Sequence, residues 1–478
     1  MKYKQYPITK YWQAFSLLLL CCLGITGCKK LIEVDLPIDR NPSETVFATT
    51  STAVSAMTGV YVNMISEFCG PAGVSIAPAL LCDEFKLKNE QGDRLYANNI
   101  DTDHSWDTWR PIYRTHMFGV NSVIEGVRKS TSLPARAKAI LEGEARFTRA
   151  FLYLHLLSFY GDVPLALSTD FNVNSKLPRT AVDKVYDQIE EDLRFAQQNL
   201  DNRYLAKDLY TNAATRLRPN KGAANALLAR VYLYRQKWAE AEAAASLLIN
   251  DPQYELVNNL DAIFLKESHE AIWQIQTNQL EPDGVNTLEA RYMLPRPGED
   301  PRYYVSEDLY QSFEPGDQRR VHWTMDFTAT KKCFYKYKQG FGVQESKEYL
   351  ILMRLAEQFL IRAEARAQLG KLTGPGSAAE DLNRIRLRTG LGNTPASTKE
   401  ELIDAILRER RIELSSECGH RWLDLKRTGR LQARMSIVTP LKGGVWLPYK
   451  ELMPIPPGEF TYNPSLRGHQ NPGYYEVP

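Results

Sequence analysis

GAANALLARVYLYRQKWAEAEAAASLLIN, residues 222–250, carries the pattern that decides the fold. Ala224, Leu227, Leu228 and Val231 stand at i, i+3, i+4 and i+7, one side of a 3.6-residue helix. Gln236-Lys237 breaks the run, and Trp238 to Ile249 resumes it as an alanine-rich second helix. Small side chains let two helices cross closely, so the stretch reads as a hairpin of the tetratricopeptide kind. One hairpin cannot bury its own apolar faces and needs neighbours of the same build.

The neighbours are legible on both sides. Downstream, Leu352, Leu355, Ala356, Phe359, Leu360, Ala363 and Ala367 form one stripe, the Gly/Pro turn at 374–376 follows, and Ala378 to Arg388 closes a second pair. Upstream, 142–159 is a strong helix ended by Tyr160-Gly161-Asp162-Val163-Pro164, because Gly161 accepts a left-handed cap and Pro164 cannot continue the helix. Residues 181–200 supply its partner, with Val182, Val185, Ile189 and Leu193 on one face. Helices are also expected over 46–67 (Val54, Met57, Val60, Tyr61, Met64), from about Trp106 to Lys129, and over 399–416. The fold class is therefore mainly α, a scaffold of tetratricopeptide-like helix pairs with long irregular loops and a few short strands.

The remaining segments lack this period. Residues 70–104 are rich in Gly, Asn and Asp, and 280–304 hold four prolines, so both read as long loops. Ala271 to Gln276 is a short strand-like run, and 447–478 is Pro/Gly/Asn-rich with little regular structure. Long loops in a compact protein are usually functional.

At the other end, Lys2, Lys4 and Lys10 precede an apolar run from Ala14 to Ile25 and then Thr26-Gly27-Cys28, the layout of a secretory signal. The run is too short to span a bilayer, which takes roughly 20 residues. Ile25-Thr26-Gly27-Cys28 resembles a lipobox, so cleavage before Cys28 and acylation of its sulfur (palmitate among the chains) are expected. Several acyl chains anchor a protein stably without crossing the membrane. The division along the chain is then signal 1–27, lipidated tether 28–45, N-terminal helical region 46–250, and C-terminal region 251–478 with the loop insertions and Pro-rich tail. Loss of the signal removes three lysines and no acid, leaving 56 basic against 57 acidic residues, and a chain without a basic excess argues against nucleic acid as a partner. Cys69, Cys82, Cys333 and Cys418 remain; Cys69 and Cys82 could pair in an oxidising compartment, and none has zinc-finger spacing. No metal or other cofactor is expected.

Six blocks now fall into order: EARFTRAFLYLHLLSFYGDVPL, RPNKGAANALLARVYLYRQKWAEA, FLIRAEARAQLG, LNRIRLRTGL, ERRIELSSECGHRWLDLKRTGR and LMPIPPGEFTYNPSLRGHQNPGY. Together with the lipobox they resemble, in sequence order and over nearly the whole chain, the blocks of SusD/RagB proteins. The resemblance implies a lipid-anchored protein on the outer face of the outer membrane, partnered with a SusC-like TonB-dependent transporter, that binds glycans and is not an enzyme. Peptide cargo, as for RagB-like binding proteins, is the alternative, and a tetratricopeptide scaffold that binds only proteins is the other. Surface-displayed relatives carry acids directly after the lipidated cysteine; here Lys29-Lys30 come first, with Glu33 and Asp35 later, which leaves the membrane face open. No nucleophile elbow or His-Glu metal motif stands out, and the seven histidines are dispersed.

A glycan reader needs flat rings, because sugar C–H faces stack on aromatics while hydroxyls reach polar neighbours. A stacked ring that removes about 50 Å² of apolar surface contributes roughly 1 kcal/mol, and three give about millimolar affinity. Aromatics in loops are the candidates. Tyr96 and Trp106 flank a polar segment that includes Asn98; Tyr292, Tyr303 and Tyr304 lie in the proline-rich stretch; Trp323 follows the Gly316-Asp317-Gln318-Arg319 turn. Trp109 and Trp273 sit in periodic segments and read as core. Arg410, Arg411, Glu413 and Asp424 read as buried or half-buried ion pairs that hold helices together.

Overall fold

A computed structural model describes residues 43–65, 71–88, 93–102, 107–276, 286–342 and 345–476. Its body is a stack of helices: α1 (Thr50–Asn63), α2 (Phe118–Lys129), α3 (Ala135–Tyr160), α4 (Val182–Asn199), α5 (Lys221–Tyr234), α6 (Trp238–Ile249), the short α7 (Leu288–Met293), α8 (Leu355–Gln368), α9 (Ala378–Arg388), α10 (Lys399–Glu413), α11 (His420–Arg427), α12 (Leu431–Leu441) and α13 (Pro457–Tyr462). The pairs expected from periodicity are the pairs that pack: α3 on α4, α5 on α6, α8 on α9. They join into one layer because α4 also lies on α5, and α6 on α8.

Local chemistry sets the boundaries. Asn220 and Ser377 accept backbone N–H bonds at the starts of α5 and α9. Thr398 and Glu401 form a reciprocal capping box on α10, which satisfies first-turn donors that the helix itself leaves open. Gly161, at φ +72°, turns the chain out of α3. Gly126 on α2 leaves room for the Phe47 ring, which lies where a Cβ would stand.

Between helices, Arg–carboxylate pairs replace part of the apolar contact. Arg149 on α3 is bidentate to Asp192 on α4, at 2.8 and 2.7 Å. Arg230 on α5 reaches Glu357 on α8 at 2.7 and 2.6 Å. Arg362 holds Asp381 across α8 and α9 at 2.9 and 2.7 Å. Arg410 and Arg427 share Asp424, at 2.7 and 2.8 Å, and Arg411 pairs with Asp83 and Asp308, as expected for the charged helix. Trp109 and Trp273 are core residues; Phe147 and Phe151 meet the Trp273 ring edge-on at 4.9 and 5.3 Å.

Among the described residues, eight short strands form four antiparallel pairs: β1 (Phe85–Leu87) with β5 (Tyr303–Val305), β2 (Val163–Pro164) with β3 (Arg179–Thr180), β4 (Ala271–Ile275) with β8 (Leu350–Arg354), and β6 (Thr324–Asp326) with β7 (Lys332–Phe334). Two expected loops are corrected here. Within 70–104, the run Ile76–Leu81 is a buried helix and β1 follows it; the Gly/Asn/Asp-rich surroundings hid six apolar residues. Within 280–304, Thr287 caps α7 and β5 closes the segment. The partner of β5 is β1, far along the chain, so no local signal announces it. Cys82 is a buried free thiol, whereas Cys69 lies outside the described residues.

Candidate functional site

The β1–β5 pairing sorts the proline-rich segment by side-chain alternation. The register sets Leu87 opposite Tyr303, Lys86 opposite Tyr304 and Phe85 opposite Val305. Tyr303 and Tyr304, being consecutive, point to opposite faces. The Tyr303 ring stacks on Phe85 at 5.3 Å and 14°, and Phe334 closes the other side of Phe85 edge-on at 5.0 Å. α7 brings Tyr292 over the outer side of Tyr303, nearly parallel, with centroids 6.3 Å apart. The exposed Arg302 holds its guanidinium 5.9 Å from the Tyr292 ring and 5.5 Å from that of Tyr303. A short distance along, Arg296 covers Phe341 at 4.6 Å.

The result is a patch with a rigid back and an accessible front. Tyr303 is buried, and that burial pushes its phenol up to about 12, so it stays neutral. Tyr292 is half-buried and Arg302 exposed. Flat rings beside guanidinium donors suit a ligand with C–H faces and oxygen acceptors, since cations hold π-faces in place while offering hydrogen bonds outward. Of this group the sequence singles out Tyr292 and Tyr303 but not Arg302 or Arg296; arginines beside tyrosines in a proline-rich stretch were the available signal.

The other candidates sit elsewhere. Tyr304 is buried on the far face, its hydroxyl donating to Asp300 at 3.0 Å and its ring facing Lys331 and Phe327. Tyr96 is buried under the Lys442 ammonium, 4.8 Å away, which itself donates to the carbonyls of Leu80, Leu81 and Cys82. Burial lowers that ammonium to about 7. Asn98 uses both ends of its amide within the protein, donating to Leu81 O at 2.8 Å and accepting from Thr439 at 2.9 Å. Trp323 is 1% exposed, its indole donating to Leu260 O at 3.2 Å and its ring under Lys336. In this arrangement Tyr96, Tyr304 and Trp323 offer no open ring face, and the Asn98 amide is engaged within the protein. Trp106 and Cys28 lie outside the described residues. Among the described residues no group of three or more His, Cys, Asp or Glu is arranged to hold a metal ion.

Comparison with known proteins places these features in context. The model of the SusD family matches residues 165–474, and a second model, described as starch-binding and associating with the outer membrane, matches 79–233. SusD-like protein P2 of Formosa agariphila is 26% identical over 97% of this chain and 100% of its own length. A laminarin-binding SusD-like protein is 23% identical, covering 88% of this chain and 99% of that one, with a TM-score of 0.71. A SusD homologue from Bacteroides thetaiotaomicron is 19% identical over 91% of this chain and 99% of that one, with a TM-score of 0.76.

Proposed function

The chain belongs to the SusD family, and from that premise we propose that it is a lipid-anchored outer-membrane protein that captures glycans and hands them to a SusC-like TonB-dependent transporter. The family match over residues 165–474 carries this reading. The Tyr292–Tyr303–Arg302 patch supports it, because ring faces and guanidinium donors side by side are what a saccharide needs. The similar fold of a protein that binds laminarin makes β-glucans the first ligands to try. Weak, additive stacking suits the task, since cargo must be released as well as caught. Binding without turnover belongs to the same reading. No helix among the described residues is long and apolar enough to cross a membrane; in this reading the attachment is the lipid on Cys28.

The decisive experiment is affinity electrophoresis and calorimetry of the protein against laminarin, starch, xylan, mannan and pectin, with a peptide mixture as control. Retardation by at least one polysaccharide, without released products, is the expected outcome. Binding to peptides alone would replace glycan by peptide cargo, and hydrolysis products would make the protein an enzyme. For the anchor, Cys28→Ala is expected to move the protein from the membrane to the soluble fraction and to end its co-purification with a TonB-dependent barrel.

A further inference from the structure

Three exposed rings converge away from the Tyr292 patch. Phe118 opens α2, Phe171 lies on the short helix Phe171–Asn174, and Tyr462 ends α13; they are 54%, 70% and 56% exposed. Together they rim a cavity of about 470 Å³, within the range of small-molecule sites. Its inner wall is rigid. Trp109 is buried, Tyr113 leans on it at 5.1 Å, and the Tyr113 hydroxyl donates to Pro164 O at 2.6 Å. Asn121 ties the far wall down by donating to the carbonyls of Ala166 and Ser168.

The polar groups at this cavity are the informative part. Asn174 donates its amide N–H to Ser168 O at 2.8 Å, which fixes the group, and its buried Oδ1 accepts no hydrogen bond. The Glu459 carboxylate, on α13, lies at the same wall, its Oε1 buried and facing Arg114. Arg114 spreads its guanidinium 4.6 Å over the Tyr462 ring and comes within 3.7 Å of the Glu459 carboxylate, so its charge is balanced on the spot.

Resting on the glycan-binding reading above, we propose that this cavity is a second saccharide site, built for a neutral sugar and separate from the Tyr292–Arg302 patch. Two needs have to be met at once. The rings call for apolar faces, and the unpaired Asn174 oxygen calls for a hydrogen-bond donor. A hydrocarbon side chain would cover the rings and leave Asn174 Oδ1 bare. An anion would meet the Glu459 carboxylate, and the one nearby guanidinium is already engaged by it. A pyranose meets both needs, with C–H faces against Phe171 and Tyr462 and a hydroxyl donating to Asn174 Oδ1. The cavity and the patch share no element, so a glycan chain longer than either could be held by one protein at two places, and paired weak sites retain a polymer better than one.

The test uses the whole protein with polysaccharides from the panel above and a hexasaccharide cut from whichever binds. The double variant Phe171→Ala/Tyr462→Ala removes two exposed rings and leaves the core untouched. It is expected to bind the hexasaccharide with half the parent's stoichiometry and to be retarded about tenfold less by the polysaccharide. Tyr462→Phe keeps the ring and should behave as the parent, while Tyr292→Ala should remove the other half of the binding. If the parent binds glycan and the double variant keeps its stoichiometry and affinity, the second site is wrong and the general reading stands. If the parent binds none of the polysaccharides, both fall. Gel filtration closes the remaining route: a parent dimer that the double variant breaks, with glycan binding unchanged, would assign the rim to a second copy and overturn the proposal.

Discussion

Several buried residues in this protein are held in place by charge. Glu413, fully buried at the end of α10, accepts from Arg354 at 2.6 Å and Arg319 at 2.8 Å and pairs with Arg388. Burial alone would raise its carboxyl; the three guanidiniums outweigh that and hold it well below the usual carboxylate range. Such a group stabilises the fold above its unfolded value and loses that contribution as pH falls through the folded one. Glu413→Gln keeps the shape but strands buried cations, so a loss of about 3–5 kcal/mol is expected at pH 7 by urea denaturation. A loss under about 1 kcal/mol would mean the cluster does not hold α10 in place. Glu289, on α7 one turn before Tyr292, is the opposite case. It is buried with no cation beside it among the described residues, and burial pushes it up to about 7. A raised carboxyl favours the folded state at low pH, and stability falls as pH climbs from 4.5 to about 7. Glu289→Gln is therefore expected to be more stable than the parent by about 3 kcal/mol at pH 8. The two should converge near pH 4, which thermal melts at both pH values would check.

At the scale of elements, packing between helix pairs depends on places where side chains are missing. Gly222 in the first turn of α5 is the clearest. The Tyr254 hydroxyl occupies the position a Cβ would need, and it is held there by Tyr204 at 3.1 Å and Asn220 at 2.9 Å. Asn220 is also the N-cap of α5, so helix start, turn and tyrosine form one unit. Gly222→Ala would raise helix propensity in a free peptide yet push Tyr254 out of this network. A net loss of about 1–3 kcal/mol is expected from the forced shift, read as a lower urea midpoint; a gain in stability would show that the ring swings away freely. Helix α7 illustrates the limit of local reading. Its cap, Thr287, is written in the sequence, but six residues between prolines are too few for a periodic signal.

For the whole molecule, contacts run across the length of the chain. Arg421 on α11 grips Asp83 at 2.8 and 2.7 Å. Met453 donates to Phe159 O at 2.7 Å, and Asn471 to Tyr160 O at 3.0 Å. Buried apolar residues from Phe47 to Leu466 belong to one continuous core. A protein tied in this way is expected to unfold in one step, with far-UV dichroism and the fluorescence of buried Trp109, Trp273, Trp323 and Trp422 changing together in urea. Two separated transitions would show instead that the halves hold on their own.

What could be known from the residues in order was whatever they do with near neighbours. Periodic stripes, caps, turn glycines and six blocks in family order determined the helix pairs, the class of scaffold and the family. Tertiary structure alone decided which aromatics face outward. Tyr303 and Tyr304 are adjacent, equally aromatic and both buried, yet one packs under the half-buried Tyr292 and the other bonds Asp300 on the opposite face. Trp323 looked available in its turn, but Leu260 and Lys336 close over it. The cavity rimmed by Phe118, Phe171 and Tyr462 draws on three distant segments and leaves no trace in any one of them. The reason is physical: helix formation is settled over a few residues by backbone hydrogen bonds, whereas exposure depends on which remote side chains arrive to cover a ring.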